Sequence, residues 1–417
     1  MIIANLFKNR STTLLVIMCL YVFFLPFRNN ISSVLGIILF LFFFIDKQVN
    51  VRTKLNEIKS STIALLSISL YLIHIIGLLY TENFKYAGLD LEIKLPLLII
   101  PMFIFSERGL NKKNTEKIFF FFTIGNILSI IYCLVYACIK SLKTNTISVF
   151  FYNELSQFMH PSYMSMYLVF NTLIITYRII KNTNSENYHS KKIIILFIIN
   201  TLFLVFIALL SSKSGIIFLG IWLFILTIRE ILRKKYYLLI YMLILFSLLS
   251  VTLLSIKDNP TTRRFKEARN EIQNYNNKSQ NEKTGSSDTR IEVWKASVQI
   301  LINNPFIGVG TGDIKDELLI QYQKNKYLTG VQNQFNCHNQ FLQFVLIFGI
   351  IGGTLFIVII SITFKKAMIT NNTVLILFLL IISFNMLLES ILESKAGVEF
   401  YAFFLPFLVK NNYKIEN

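Results

Sequence analysis

The chain has 417 residues, of which 54% are hydrophobic and only 15% charged, with 39 Phe and 7 Pro. Soluble globular chains carry about a quarter charged residues, so this composition excludes an ordinary soluble domain. The 41 Lys and Arg against 23 Asp and Glu give a net charge of +18, which suits nucleic acid only if the cations gather on one surface.

Apolar runs centre on residues 12–27, 31–45, 62–80, 95–106, 117–139, 162–180, 192–211, 214–228, 236–256, 339–364, 373–391 and 397–409. A helix that crosses a bilayer needs roughly 20 such residues, so the pattern predicts an all-α polytopic membrane protein of about twelve spans. The fourth, eighth and last runs are short and read as tilted, half-buried or re-entrant. The first run has a weak basic flank, Lys8 and Arg10, and ends at Leu25-Pro26-Phe27-Arg28 without a small-residue cleavage site. It reads as an anchor and not as a signal peptide. Cys19, Cys133 and Cys138 lie in apolar runs and only Cys337 in a polar one. That spacing fits neither a disulfide framework nor a four-thiolate zinc site.

Short cytoplasmic loops retain Lys and Arg. On the twelve-span layout, 22 basic residues fall on one side, beginning with Lys8 and Arg10 and ending with Lys410 and Lys414. The other side carries seven in its short loops: Arg28, Lys85, Lys94, Lys140, Lys143, Lys213 and Lys395. The asymmetry places both termini in the cytoplasm and makes the basic balance a matter of topology, so no nucleic-acid partner is expected. The predicted organisation is residues 1–256 for spans one to nine, 257–337 for one long outer loop that contains helices, and 338–417 for spans ten to twelve.

Within that loop Thr261 to Thr284 is rich in charged and amide side chains and reads as a solvated helix or flexible segment. Further on, Ser287, Asp288 and Thr289 offer N-caps, with Thr289 and Glu292 at capping-box spacing. Ile291, Trp294, Val298 and Leu301 then line one helix face, and Asn304-Pro305 stops it. Gly308, Gly310 and Gly312 set a turn; no strand precedes them as a dinucleotide fingerprint would require.

Chemistry-bearing residues gather at the outer boundary. His338 stands where the loop re-enters the bilayer, with Phe341, Leu342 and Val345 following, so its ring is expected in the first turn, wet on one side and dry on the other. An imidazole titrates near neutrality and can act as general base toward a sugar hydroxyl; the alternative is an interfacial cap. Arg290 in the first turn of the loop helix opposes the macrodipole. It reads either as a phosphate seat, where a guanidinium pairs bidentately with the oxygens, or as a solvated arginine. Lys213, in the polar island Ser211-Ser212-Lys213-Ser214-Gly215, either snorkels to lipid head groups or faces an anion inside the bundle. Glu389 and Glu393, one turn apart, suit the orientation of a histidine or the gripping of acceptor hydroxyls; an internal ion pair with Lys395 is the alternative. His160, before Pro161, belongs to the same outer side, whereas His74 and His189 read as structural.

His338-Asn339, nine residues, Gly349, two residues and Gly352 resemble the signature of the O-antigen ligase and polymerase superfamily. So does Arg290 followed by Trp294 and then by Asn304-Pro305-Phe306-Ile307-Gly308-Val309-Gly310. The resemblance extends to the span pattern, the long loop and the tail from Glu393 to Phe404. It implies an all-helical glycosyltransferase of the bacterial inner membrane, with its active site on the periplasmic side and no metal or cofactor. The donor is a glycan on undecaprenyl diphosphate and the acceptor lipid A-core or another glycan, among membrane lipids. By the same resemblance His338 is the base, Arg290 holds the departing diphosphate, and Lys213 assists it. Asn339, Glu389, Glu393 and His160 are expected to bind substrate. Two positions depart from the pattern: lysine at 213, where arginine is common and the bidentate fork is lost, and tryptophan at 294 in place of leucine. The function implied is a ligase that moves O-antigen to lipid A-core. Its rivals are a polymerase that extends the lipid-linked glycan, a protein O-oligosaccharyltransferase, and a polysaccharide or lipid transporter. A transporter would spread polar residues along the bundle, whereas here they gather at its outer end.

Overall fold

The computed structural model describes residues 10–27, 30–45, 49–107, 112–183, 190–232, 247, 260–275 and 285–411. Every regular element among them is helical. Among the described residues, five helices are long and apolar enough to cross a membrane: Thr62–Tyr80, Lys113–Thr144, Pro161–Ile180, Lys191–Leu209 and Gln340–Ile369. Arg10–Phe24, Ile31–Ile45 and Thr373–Leu388 are shorter apolar helices. The run at 236–256, apart from Ser247, and His189 lie outside the described residues. The chain divides into two compact units.

The first unit comprises Met1–Leu25, Asn29–Phe119 and Ala268–Lys414. Its helices are α1 (Arg10–Phe24), α2 (Ile31–Ile45), α3 (Val51–Lys59), α4 (Thr62–Ile76), α5 (Phe84–Lys94), α6 (Pro96–Ser106) and the start of α7 (Lys112–Thr144). Pro96 opens α6 at the position where its missing N–H costs nothing. The C-terminal part adds α15 (Gln340–Ile369), α16 (Thr373–Leu388) and α17 (Lys395–Lys410). From Gly397 to Leu408 every residue of α17 is buried, as expected of a helix that is apolar all round. It packs along α6, and its Phe403 stacks on Tyr21 of α1 at 5.2 Å between ring centroids.

The ends of this unit sort the charges as the loop asymmetry does. At the far end of α6, Arg10 donates to both oxygens of Glu107 at 3.0 and 2.8 Å. The Lys410 ammonium caps the last carbonyls there, Ile104 O at 3.0 Å and Phe105 O at 2.7 Å. At the start of α6, the buried Lys94 donates to Asp90 at 2.6 Å and to Glu393 at 2.8 Å. Lys395 donates to Asn30 at 2.9 Å.

This unit also holds α11 (Pro260–Asn274) from Ala268 on, α12 (Ser286–Asn303), α13 (Ile314–Lys324) and α14 (Leu328–Asn333). α15 is broken at Gly349, whose φ of 66° and ψ of −169° leave the helix. A break frees backbone donors and acceptors that an apolar surrounding cannot satisfy, and residues 305–310 satisfy them. Ile350 N donates to Pro305 O at 2.9 Å, Val309 N to Leu346 O at 2.9 Å, and Gly310 N to Ile347 O at 3.0 Å. A side chain at Gly349 would place its Cβ 2.0 Å from Phe306 O. At Gly308, with φ 71°, a Cβ would lie 2.4 Å from Leu346 O and 2.5 Å from Ile347 O. The loop is tied down further by Thr311, which donates to His74 O at 2.7 Å, and by Asp313, which accepts from Glu82 N and Asn83 N. The expected glycine turn is therefore present, and it docks into the broken helix. His74 is fully buried and bonded to Leu70 O at 2.7 Å, as a structural histidine should be.

The second unit comprises Pro26–Arg28, Phe120–Glu267 and Ile415–Asn417. It contains the rest of α7, α8 (Pro161–Thr183), α9 (Ser190–Leu209) and α10 (Lys213–Leu232). Polar bonds cross its apolar interior: Thr123 donates to Asn171 at 2.8 Å, and Asn200 to Thr176 at 3.1 Å. Gly215 lets α10 approach α8 so closely that a Cβ there would meet Ser165 Oγ at 1.9 Å.

Candidate active site

His338 is held by its own neighbours. The Asn336 side chain accepts from His338 N at 3.0 Å, an Asx turn that carries the histidine into the left-handed region at φ 47°. Asn339 then caps α15 by accepting from Leu342 N. The ring therefore sits two residues before the first residue of α15 and not in its first turn, because Asn339 has the better cap side chain. Partners from other elements fix the same stretch. Trp294 Nε1 donates to Cys337 O at 2.9 Å, Asn339 N to Ser390 Oγ at 3.2 Å, and Leu392 N to Gln340 Oε1 at 2.6 Å. Burial pushes the Cys337 thiol up to about 12, so it stays protonated and weakly reactive at neutral pH.

The helix carrying Arg290 starts at Ser286, three residues earlier than the sequence cue at Thr289, and Gly285 at its N-cap supplies no side-chain bond. Glu271 of α11 replaces the expected capping box by accepting from Ser287 N at 2.8 Å. The Glu292 carboxylate of that box instead accepts from the Tyr275 hydroxyl, and carboxylate and burial together raise that phenol above its ordinary range. The buried residues of α12 are Asp288, Thr289, Glu292, Val293, Ala296, Ser297 and Ile300, whereas Val298 of the predicted apolar face is 49% exposed.

Arg290, His338 and Glu389 converge. His338 Nδ1 lies 3.0 Å from Glu389 Oε2, and Arg290 Nη2 lies 3.0 Å from Glu389 Oε1. The guanidinium also reaches Leu388 O and Ser286 O at 3.3 Å. An ionised carboxylate only accepts, so Nδ1 donates to it, and in the neutral ring Nε2 then carries the lone pair. Among the described residues nothing bonds Nε2. The three side chains are 25%, 25% and 17% exposed, open enough to admit a ligand.

Glu389 and Glu393 do not share a helix face. α16 ends at Leu388, Glu389 is extended (φ −147°, ψ 148°), and Ile391–Glu393 is a 3-10 turn. Glu389 thus faces the histidine, as one of the two readings has it, while Glu393 pairs with Lys94 and not with Lys395. The Asp90–Lys94 spacing of four was a sequence signal for that buried ion group.

Lys213 and His160 belong to the second unit. α9 ends at Leu209 and Lys213 opens α10, with Ser211 at φ 51° between them. His160 Nε2 lies 3.4 Å from the Tyr152 hydroxyl. In the segment read as solvated, Arg264 lies 3.5 Å above the Tyr152 ring and donates to Ser211 O at 2.8 Å. Composition alone gave no sign of that contact.

The family model described as O-antigen ligase matches residues 198–357. Over residues 198–357 the chain is thus similar to the O-antigen ligase family. Members of this family are glycosyltransferase-like enzymes. No curated protein matches the chain. The O-antigen ligase match takes in Lys213, Arg290, His338 and Gly349, and Glu389 lies beyond its end. The carboxylate that joins Arg290 and His338 thus comes from outside the matched segment.

Proposed function

We propose that the chain is an O-antigen ligase-like glycosyltransferase that moves a glycan from undecaprenyl diphosphate to an acceptor hydroxyl of lipid A-core at the periplasmic face. The observation that carries this reading is the single Glu389 carboxylate shared by His338 and Arg290 at 3.0 Å each. Nε2 of His338 takes the acceptor proton, and the acceptor oxygen attacks the anomeric carbon. The bond from that carbon to the diphosphate oxygen breaks, its electron pair leaves with the diphosphate, and the configuration inverts. Glu389 steadies the imidazolium, as the carboxylate does in hydrolase triads. Arg290 supplies positive charge where the leaving group gains negative charge. A side-chain cation thus does the work a metal would do. Twelve spans, both termini in the cytoplasm and the loop at 257–337 in the periplasm complete the proposal.

In a strain lacking the gene, lipopolysaccharide gels are expected to show long glycan made but unattached, with attachment restored by the native chain. The His338→Ala chain should restore it at a rate lower by roughly a hundredfold or more. Attachment of single repeats in the deletion strain would instead indicate the polymerase, and wild-type attachment by His338→Ala would refute the base assignment.

A further inference from the structure

The turn that carries Glu389 to the histidine continues through Glu393 to α17, and residues beyond it line a separate space. A cavity of about 230 Å³ in the first unit is bounded by α1, α2, the end of α5, α6 and the start of α17. None of His338, Arg290 and Glu389 lines it. Its polar wall consists of Asn30, Ser33, Glu92, Lys395 and Glu399.

Glu399 is only 3% exposed. Its two oxygens accept from Ser33 at 2.7 Å and from Ser32 at 2.8 Å, which leaves about half of a carboxylate's roughly four acceptor positions open. Lys395, one turn earlier, donates one N–H to Asn30 and has two more. Acceptors and donors side by side match hydroxyl groups, which do both. Two carboxyl groups and one ammonium line the space, so a phosphate would find a single cation there.

The opposite wall is apolar. Tyr21, Ile37, Ile99 and Ile100 line it with Gly36, where a Cβ would meet Ile100 at 3.4 Å and Tyr21 at 3.6 Å. Ile37 is 47% exposed and belongs to the outer stripe of α2 with Val34 and Leu41, so the cavity borders a surface suited to lipid. Its volume is below the ~300–1,000 Å³ of drug-sized sites and suits one ring, not a chain of them.

We propose that this cavity binds one uncharged sugar of a membrane-borne glycolipid, its hydroxyls on Ser33, Lys395 and Glu399 and its apolar chain along α2. The choice of a sugar among hydroxylated head groups rests on the glycosyltransferase reading. The test uses the full chain in nanodiscs free of glycolipid, with octyl glucoside, octyl glycerol, octyl phosphate and free glucose as probes below micellar concentrations.

Octyl glucoside should bind saturably, and the other three about tenfold more weakly or worse. Glu399→Gln and Gly36→Leu should each weaken octyl glucoside binding by about tenfold. Ile37→Trp fills the same space from the exposed wall and replaces Gly36→Leu if that variant does not fold. Equal binding of octyl glycerol would make this a general lipid-hydroxyl site, and equal binding of octyl phosphate an anion site; either overturns the proposal. So would an unchanged affinity in the variants. A His338→Ala chain should bind octyl glucoside as the native chain does, which separates this test from the transfer assay. Weakened binding there would place the ligand at the histidine and overturn the proposal.

Discussion

Glu389 fixes the tautomer and aim of His338 while neutralising Arg290 at rest, so its loss should act on turnover more than on binding. Glu389→Gln is expected to lower kcat by roughly a hundredfold or more, with little change in KM, and Glu389→Asp to recover part of it. Steady-state kinetics of glycan transfer by the purified chain check both. A merely structural carboxylate would lower the yield of folded protein and leave kcat per folded molecule unchanged. His338 and Arg290 were legible in the sequence because their residue types and flanking motifs single them out. The partnership of Glu389 was legible only as one of two readings. The apolar run continues past Leu388, so periodicity extends the helix and puts Glu389 and Glu393 on one face, whereas the chain leaves the helix there and sends them to different partners.

At the scale of elements, the break in α15 depends on a residue without a side chain. Gly349→Ala is expected to cost on the order of 1–3 kcal/mol from backbone conformation alone, and more from its collision with Phe306 O. A fall in melting temperature in detergent, with loss of transfer, measures it. Lys94 joins α5 to the turn after Glu389 from a fully buried position. Lys94→Met leaves Asp90 and Glu393 buried without their cation, which costs about 3–5 kcal/mol; thermal unfolding of the variant reads this directly. Helix existence was legible from hydropathy, since Thr62–Tyr80 and Pro161–Ile180 fall where the apolar runs do. The start of α12 was not, because its cap is Glu271 from another helix and no local pattern reports that.

For the whole molecule, the charge asymmetry and the charged ends of the first unit agree on which helix ends belong together. A green fluorescent protein fused after residue 417 should fluoresce, and alkaline phosphatase inserted within residues 276–284 should be active. The opposite pair of results would invert the proposed topology. How the loop packs was hidden from the sequence, because backbone hydrogen bonds between residues 305–310 and 346–350 leave no trace in residue type beyond their glycines. That clasp also bears on biosynthesis. The ribosome makes the loop before the helix it fastens to, so residues 305–310 have no lock to enter until α15 has been made. Cut free as a soluble fragment, the loop would lack half of its own fastening.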